Sequence, residues 1–176
     1  NCLIEGNSIF YSSDKGVSVG QGSTIIIKNN LIVGCPLGIA VKDTGSSVLV
    51  DQNTIVDCEE GVAVYEKNFG SGGGKAIVTN SIFSNCEKAI TSDSYSSITV
   101  TYSLSDTSPL PGATNLLADP LFTDVDAFNF EIMAGSPAFD AGDPQHPNDP
   151  DDPRADIGAL YRYSSNDYPF NQTPSI

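Results

Sequence analysis

The residues best suited to chemistry lie near the end of the chain. Between positions 140 and 156 stand Asp140, Asp143, Asp149, Asp151, Asp152 and Asp156, accompanied by Arg154 and by His146, the single histidine. Carboxylates crowded into one short, Pro-rich segment repel one another. A hard cation that takes about six to eight oxygen ligands, as calcium does, relieves that repulsion. No cluster of His or Cys accompanies the acids, which argues against zinc, copper or iron. All six Asp residues are therefore expected as ligands of a structural Ca2+ ion, although their spacing does not follow the helix–loop–helix calcium loop. The competing reading is a solvated acidic loop in which Arg154 pairs with Asp140 or Asp156. His146 sits between Pro144 and Pro147 and is assigned no role.

Catalytic constellations are sparse. The pair Asp151-Asp152 lies in a Pro-rich loop, a poor platform for the fixed geometry that acid–base work needs. The eight basic residues, Lys15, Lys28, Lys42, Lys67, Lys75, Lys88, Arg154 and Arg162, form no evident row. No catalytic residue and no organic cofactor is assigned. Tyr11, Tyr65 and Tyr95 are either platforms for sugar rings or ordinary surface. Cys35, Cys58 and Cys86 show no CxxC or Cys/His spacing of a zinc site.

Charge narrows the partners. With Asp+Glu 22 against Lys+Arg 8, the formal net charge is -14. Such a surface repels nucleic acid and anionic lipid and attracts divalent cations. No apolar run is long enough for a membrane-spanning helix. The chain begins at Asn1 without a leader, which reads as a mature or excised piece of an exported protein.

The elements that must position these residues are written in a repeat. Asn7-Ser8-Ile9-Phe10, Asn30-Leu31-Ile32-Val33, Asn53-Thr54-Ile55-Val56 and Asn80-Ser81-Ile82-Phe83 form one row. Positions 7, 30 and 53 step by 23 residues; 53 to 80 is 27, the excess being assigned to a flexible insertion, Asn68–Gly74. A second row runs Gly16-Val17-Ser18-Val19, Gly38-Ile39-Ala40-Val41, Gly61-Val62-Ala63-Val64 and Ala89-Ile90-Thr91-Ser92. A third runs Thr24–Ile27, Ser47–Val50, Lys75–Val78 and Ser97–Val100.

Three short apolar strands per turn of this length make one coil of a three-sided parallel β-helix, with successive coils about 4.8 Å apart. A right hand follows from the usual chirality of parallel crossovers. The fold class is thus an all-β, right-handed three-sided solenoid of four to five coils with an irregular C-terminal cap. Ile9, Ile32, Ile55 and Ile82 are expected in a single inward column, and Asn7, Asn30, Asn53 and Asn80 in a stacked corner ladder. Cys35 and Cys58 follow their Asn by five residues and Cys86 by six, which puts them near one corner and reads as a stack of small buried thiols, the alternative being a bridge between adjacent rungs. Lys28 with Asp51, and Lys42 with Tyr65, are expected as ordinary surface neighbours. Residues 1–104 are read as the coils, 105–163 as the final coils and acidic capping loop of the same domain, and 164–176 as tail or linker.

Past residue 104 the period fades into Asp119-Pro120-Leu121-Phe122, Gly135-Ser136-Pro137-Ala138-Phe139-Asp140-Ala141-Gly142-Asp143-Pro144 and Arg154-Ala155-Asp156-Ile157-Gly158-Ala159. This run resembles the C-terminal end of secreted bacterial β-helix proteins of the pectate-lyase-like superfamily. The resemblance covers roughly residues 117 to 161 by motif and the coils by pattern. It implies export and a place in a group that includes lyases, hydrolases, epimerases and inert surface proteins. The lyase pattern of basic residues along one groove, and the hydrolase pattern of paired Asp with Arg-x-Lys, are missing. The expected function is an extracellular, non-catalytic module of a cell-surface, adhesin-like or filament-forming kind, stabilised by calcium and self-associating through open solenoid ends or joined to an upstream domain. The alternative is a polysaccharide lyase, hydrolase or carbohydrate binder.

Overall fold

The computed structural model describes residues 2–148 and 154–160. The strands wind into three parallel sheets. The first holds β1 (Cys2–Glu5), β4 (Thr24–Lys28), β7 (Ser47–Asp51), β10 (Lys75–Thr79) and β13 (Ser97–Thr101). The second holds β2 (Ser8–Phe10), β5 (Leu31–Val33), β8 (Thr54–Val56), β11 (Ile82–Ser84), β14 (Leu104–Ser105) and β15 (Leu116–Leu117). The third holds β3 (Lys15–Val19), β6 (Leu37–Lys42), β9 (Glu60–Tyr65) and β12 (Lys88–Ser92). Each of the first four coils contributes one strand to every sheet, and the chain is a right-handed three-sided parallel β-helix. An antiparallel pair, β16 (Phe122–Asp124) with β17 (Asn129–Ile132), follows outside it.

Short β-branched runs make the walls, and residues that accept a left-handed backbone make the corners. Asn29, Gln52, Asn80 and Tyr102 share one corner with φ of 53, 49, 49 and 47°. A side chain pays a steric penalty there, least for Asn. Inward columns such as Ile27, Val50, Val78 and Val100 stack rung on rung into one core.

The fourth coil corrects the expected register. Ile9, Ile32 and Ile55 do share a column, but the next place is taken by Phe83, while Ile82 pairs with Thr54 and points away from the core. The insertion is thus one residue longer than assumed, and the corner ladder runs Asn7, Asn30, Asn53, Ser81. Asn7 and Asn30 each donate through Nδ2 to Oδ1 of the next Asn at 3.0 Å, and Asn53 N donates to Ser81 Oγ at 3.1 Å. Ser103 and Asn115 extend the ladder. Counted from Ser81, Cys86 falls five residues on, in register with Cys35 and Cys58. All three are buried free thiols, with no bridge between rungs.

One glycine column shows how tightly the coils approach. A Cβ on Gly38 would stand 2.6 Å from the carbonyl oxygen of Gly61, and one on Gly61 would stand 2.5 Å from that of Ala89. The column ends in Ala89, on β12, the last strand of its sheet.

The insertion is expected as a flexible loop, and it makes hydrogen bonds of its own to the neighbouring coil. Asp43 Oδ1 accepts from Lys67 N at 3.0 Å and from Ser71 Oγ at 2.7 Å, and Glu66 Oε1 accepts from Gly72 N at 2.8 Å. These bonds brace a turn that holds Phe69 fully in solvent.

Leu110, in the turn after β14, packs into the main core, and Asn115 accepts and donates hydrogen bonds at the last rung. The acidic segment is expected as a cap over the solenoid end, and its described part meets the third and fourth coils through Asp51 and Asn80. It lies along the outside of the second sheet, where Ile132, Ala138 and Ile157 pack on Ile82 and Leu104, and Phe130 packs on Leu31, Val33 and Val56.

Candidate functional site

The densest set of polar contacts lies where this segment meets the coils, and its hub is Asp51. As the last residue of β7, Asp51 stands between Lys28 and Thr79 on adjacent rungs. It is only 6% exposed, so it is no ordinary surface residue. Lys28 Nζ lies 3.7 Å from its Oδ2. Asn80 donates through Nδ2 to Oδ1 at 3.1 Å, and His146 Nε2 lies 3.1 Å from Oδ2. The other ring nitrogen of His146 lies 2.9 Å from the Pro147 carbonyl oxygen. A neutral imidazole has a single N–H and serves one of these two acceptors; the protonated ring serves both.

Asn80 is the pin of the seam. Its Oδ1 accepts from Asp143 N at 2.7 Å, and its carbonyl accepts from Gly158 N at 2.8 Å. Its displacement from the corner ladder, where Ser81 replaces it, frees its amide for this work.

The C-terminal motif residues serve the same docking. Gly142 N donates to Ala155 O at 2.9 Å, and a Cβ on Gly142 would meet that oxygen at 2.6 Å. Gly158, with φ of 113°, lies so close to the coils that a Cβ would stand 2.7 Å from Ile82 Cδ1. Ala159 N donates to Thr54 Oγ1 at 3.0 Å. Buried Asp156 accepts from Asp140 N at 2.8 Å. Arg154 donates to the carbonyls of Gly142 at 2.6 Å and Ala141 at 3.1 Å, which straps the loop from within.

Of the six expected calcium ligands, Asp140, Asp143 and Asp156 are placed in this seam. Asp149, Asp151 and Asp152 lie outside the described residues. Asp143 Oδ1 accepts from Gln145 N at 2.9 Å. Among the described residues no group of three or more His, Cys, Asp or Glu side chains is arranged to hold a metal ion. The described carboxylates do not make a calcium shell by themselves, and an ion there would draw on the other three.

A second gathering of charge escaped the sequence reading. On the outer face of the third sheet, Ser18, Ala40, Ala63 and Thr91 form a column of small residues. Lys42 reaches along it to donate to Ser18 Oγ at 2.7 Å. Burial holds the Lys42 amine below its ordinary range, and the charges of Lys67 and Lys15 push the same way. Asp14 and Asp43 offset them, and Lys15 is hydrogen-bonded to Asp14, so the face is mixed rather than cationic.

What the seam can do chemically follows from its occupancy. The Asp51 oxygens and both His146 nitrogens face protein groups, and the Asn80 amide is spent on Asp51 and Asp143. The arrangement grips a segment. The mouth of the first coil is lined by Glu5 as its one carboxylate, and the groove beside Gly73 and Gly74 by Lys75 and Tyr95.

The signal for Asn80 was present in the spacing. Cys86 and Ala89 both sit one residue late when counted from Asn80 and in step when counted from Ser81. The His146 contact has no local signature, because its partner is 95 residues away. Against known families, residues 1–108 match the model described as right handed beta helix region. No curated protein and no solved structure matches the chain.

Proposed function

The chain belongs to the right-handed β-helix family, and from that premise we propose that it serves as a non-catalytic extracellular module, of a cell-surface, adhesin-like or assembly-forming kind, with a calcium ion in its acidic C-terminal segment. One observation carries the non-catalytic reading: the seam's groups able to do chemistry, Asp51, His146 and Asn80, are turned onto one another and onto backbone. A general base or nucleophile needs a free atom facing substrate. Export rests on the resemblance of the C-terminal motif. Calcium rests on six Asp residues between positions 140 and 156 in a chain of net charge -14, a density that a hard cation relieves.

Two measurements test this. Incubation with pectin, alginate and related polymers should release no unsaturated uronate and no reducing sugar; turnover of any of them overturns the non-catalytic reading. The melting temperature should rise with calcium and fall with chelator, and an unchanged temperature removes the ion.

A carbohydrate-binding reading draws on one observation. Phe10, Tyr11 and Phe128 expose their rings together, with centroids 5.8 to 6.4 Å apart. Retardation in affinity electrophoresis through a polysaccharide gel, lost in Tyr11→Ala, would favour it.

A further inference from the structure

We propose that the outer face of the first sheet is a self-association surface on which a second copy of this chain docks. The register places Leu3, Ile26, Leu49, Ile77 and Thr99 in one column, each over the last. Their neighbours along each strand, such as Val48 and Val50 or Ala76 and Val78, turn into the core, so the column faces outward. Leu3 is 54% and Ile77 49% exposed. Among the described residues, the apolar side chains of the C-terminal segment pack on the second sheet, and none of the buried apolar clusters includes a member of this column.

Charge selects the occupant. The columns flanking the stripe carry Glu5, Lys28, Asp51, Thr79 and Thr101 on one side and Thr24, Ser47, Lys75 and Ser97 on the other. Two lysines balance two acids, so the whole excess of -14 lies elsewhere on the molecule. A face with no net charge adds no local repulsion when two copies approach through it. The stripe is also self-complementary: an apolar column flanked by short hydroxyl side chains meets its own kind about a twofold axis.

Size sets the strength. Five rungs at about 4.8 Å and five residues at about 3.3 Å give a footprint of roughly 400 Å² per copy. Roughly 800 Å² in total is below the size of a standard stable interface, which makes the pair weak and reversible. Like net charge opposes it further, so salt that shortens the screening length tightens it.

Sedimentation equilibrium of the full chain, from about ten micromolar to about one millimolar, reads the association range that such an interface implies. The expected result is a monomer–dimer equilibrium. Ile77→Lys and Leu49→Lys, each checked for an unchanged circular dichroism spectrum, should each weaken it at least tenfold. Met133→Lys, at an exposed site outside the stripe, should leave it unchanged. Ile77 is half exposed, so its lysine variant keeps the test valid if Leu49→Lys does not fold. A wild-type chain monomeric throughout the range, or a dimer indifferent to Ile77→Lys, overturns the proposal.

Discussion

His146 lies 95 residues after Asp51 in sequence, and its Nε2 lies 3.1 Å from the Asp51 carboxylate. That contact, with the Asn80 amide between Asp51 and Asp143, joins the acidic segment to the third and fourth coils of the solenoid. A carboxylate this deeply covered is stable only with its donors in place.

Asn80→Ala should be costly out of proportion to its size. It strips the Asp51 Oδ1 donor and the acceptor of Asp143 N together. A buried group left unsatisfied costs about 1–3 kcal/mol, so a loss of about 2–4 kcal/mol in denaturant unfolding is expected. Amide protection at Ala159 and Gly158 should fall with it. Asn7→Ala, at the exposed start of the corner ladder, should cost less than half as much.

Gly38→Ala and Ala89→Gly test the close column within its run and at its last member. The added methyl at position 38 meets a backbone carbonyl, so the coils must part, at a cost of about 1–3 kcal/mol or more. Removing the methyl at 89 forces nothing apart and should cost about 1 kcal/mol, mainly in chain entropy. Equal costs for the two changes would contradict the stated geometry.

The braced insertion should loosen in acid. The Ser71 hydroxyl, the N–H groups of Lys67 and Asn68, and the Lys42 charge hold the Asp43 carboxyl below its usual range. A depressed carboxylate stabilises the fold above its unfolded pKa, and that stabilisation is lost as pH falls through the folded value. Hydrogen exchange at Lys67 and Asn68, corrected for intrinsic rates, should therefore accelerate below the ordinary Asp range before the coils open. Asp43→Asn should remove that pH dependence.

A thiol reagent should label one cysteine of the native chain and all four after unfolding. Cys2 is exposed, whereas Cys35, Cys58 and Cys86 are buried. Burial raises the Cys35 pKa, and for Cys86 the neighbouring Cys58 thiol and burial act together in the same direction. The reactive thiolate is suppressed at both. Labelling of Cys58 in the folded protein, at a rate near that of Cys2, would be incompatible with the stacked interior.

The walls of the fold were readable because each coil repeats its apolar strands, and a parallel register turns that repeat into columns. The slip at the fourth coil came from weighting Asn80 over Cys86 and Ala89; an Asn row is persuasive, but small buried residues hold register more strictly. The covering of the second sheet was also signalled. Leu31-Ile32-Val33 is apolar without alternation, the mark of a strand buried on both faces, and the structure buries all three. What covers it could not be read, since the bonds of His146, Gly158 and Ala159 to the coils depend on where the chain returns in space. The six Asp residues were legible as a charge problem and not as a geometry.

A solenoid whose repeats touch only their neighbours can unzip from either end, because each interface fails independently. Here the returning segment crosses several repeats: Leu160 packs beside Leu31 in the second coil, Ala159 bonds to Thr54 in the third, and Gly158 bonds to Asn80 in the fourth. It acts as a lengthwise tie that couples non-adjacent repeats, so fraying at one rung strains the others. Thermal melting should then be a single cooperative step, and cutting the tie should split it into stages.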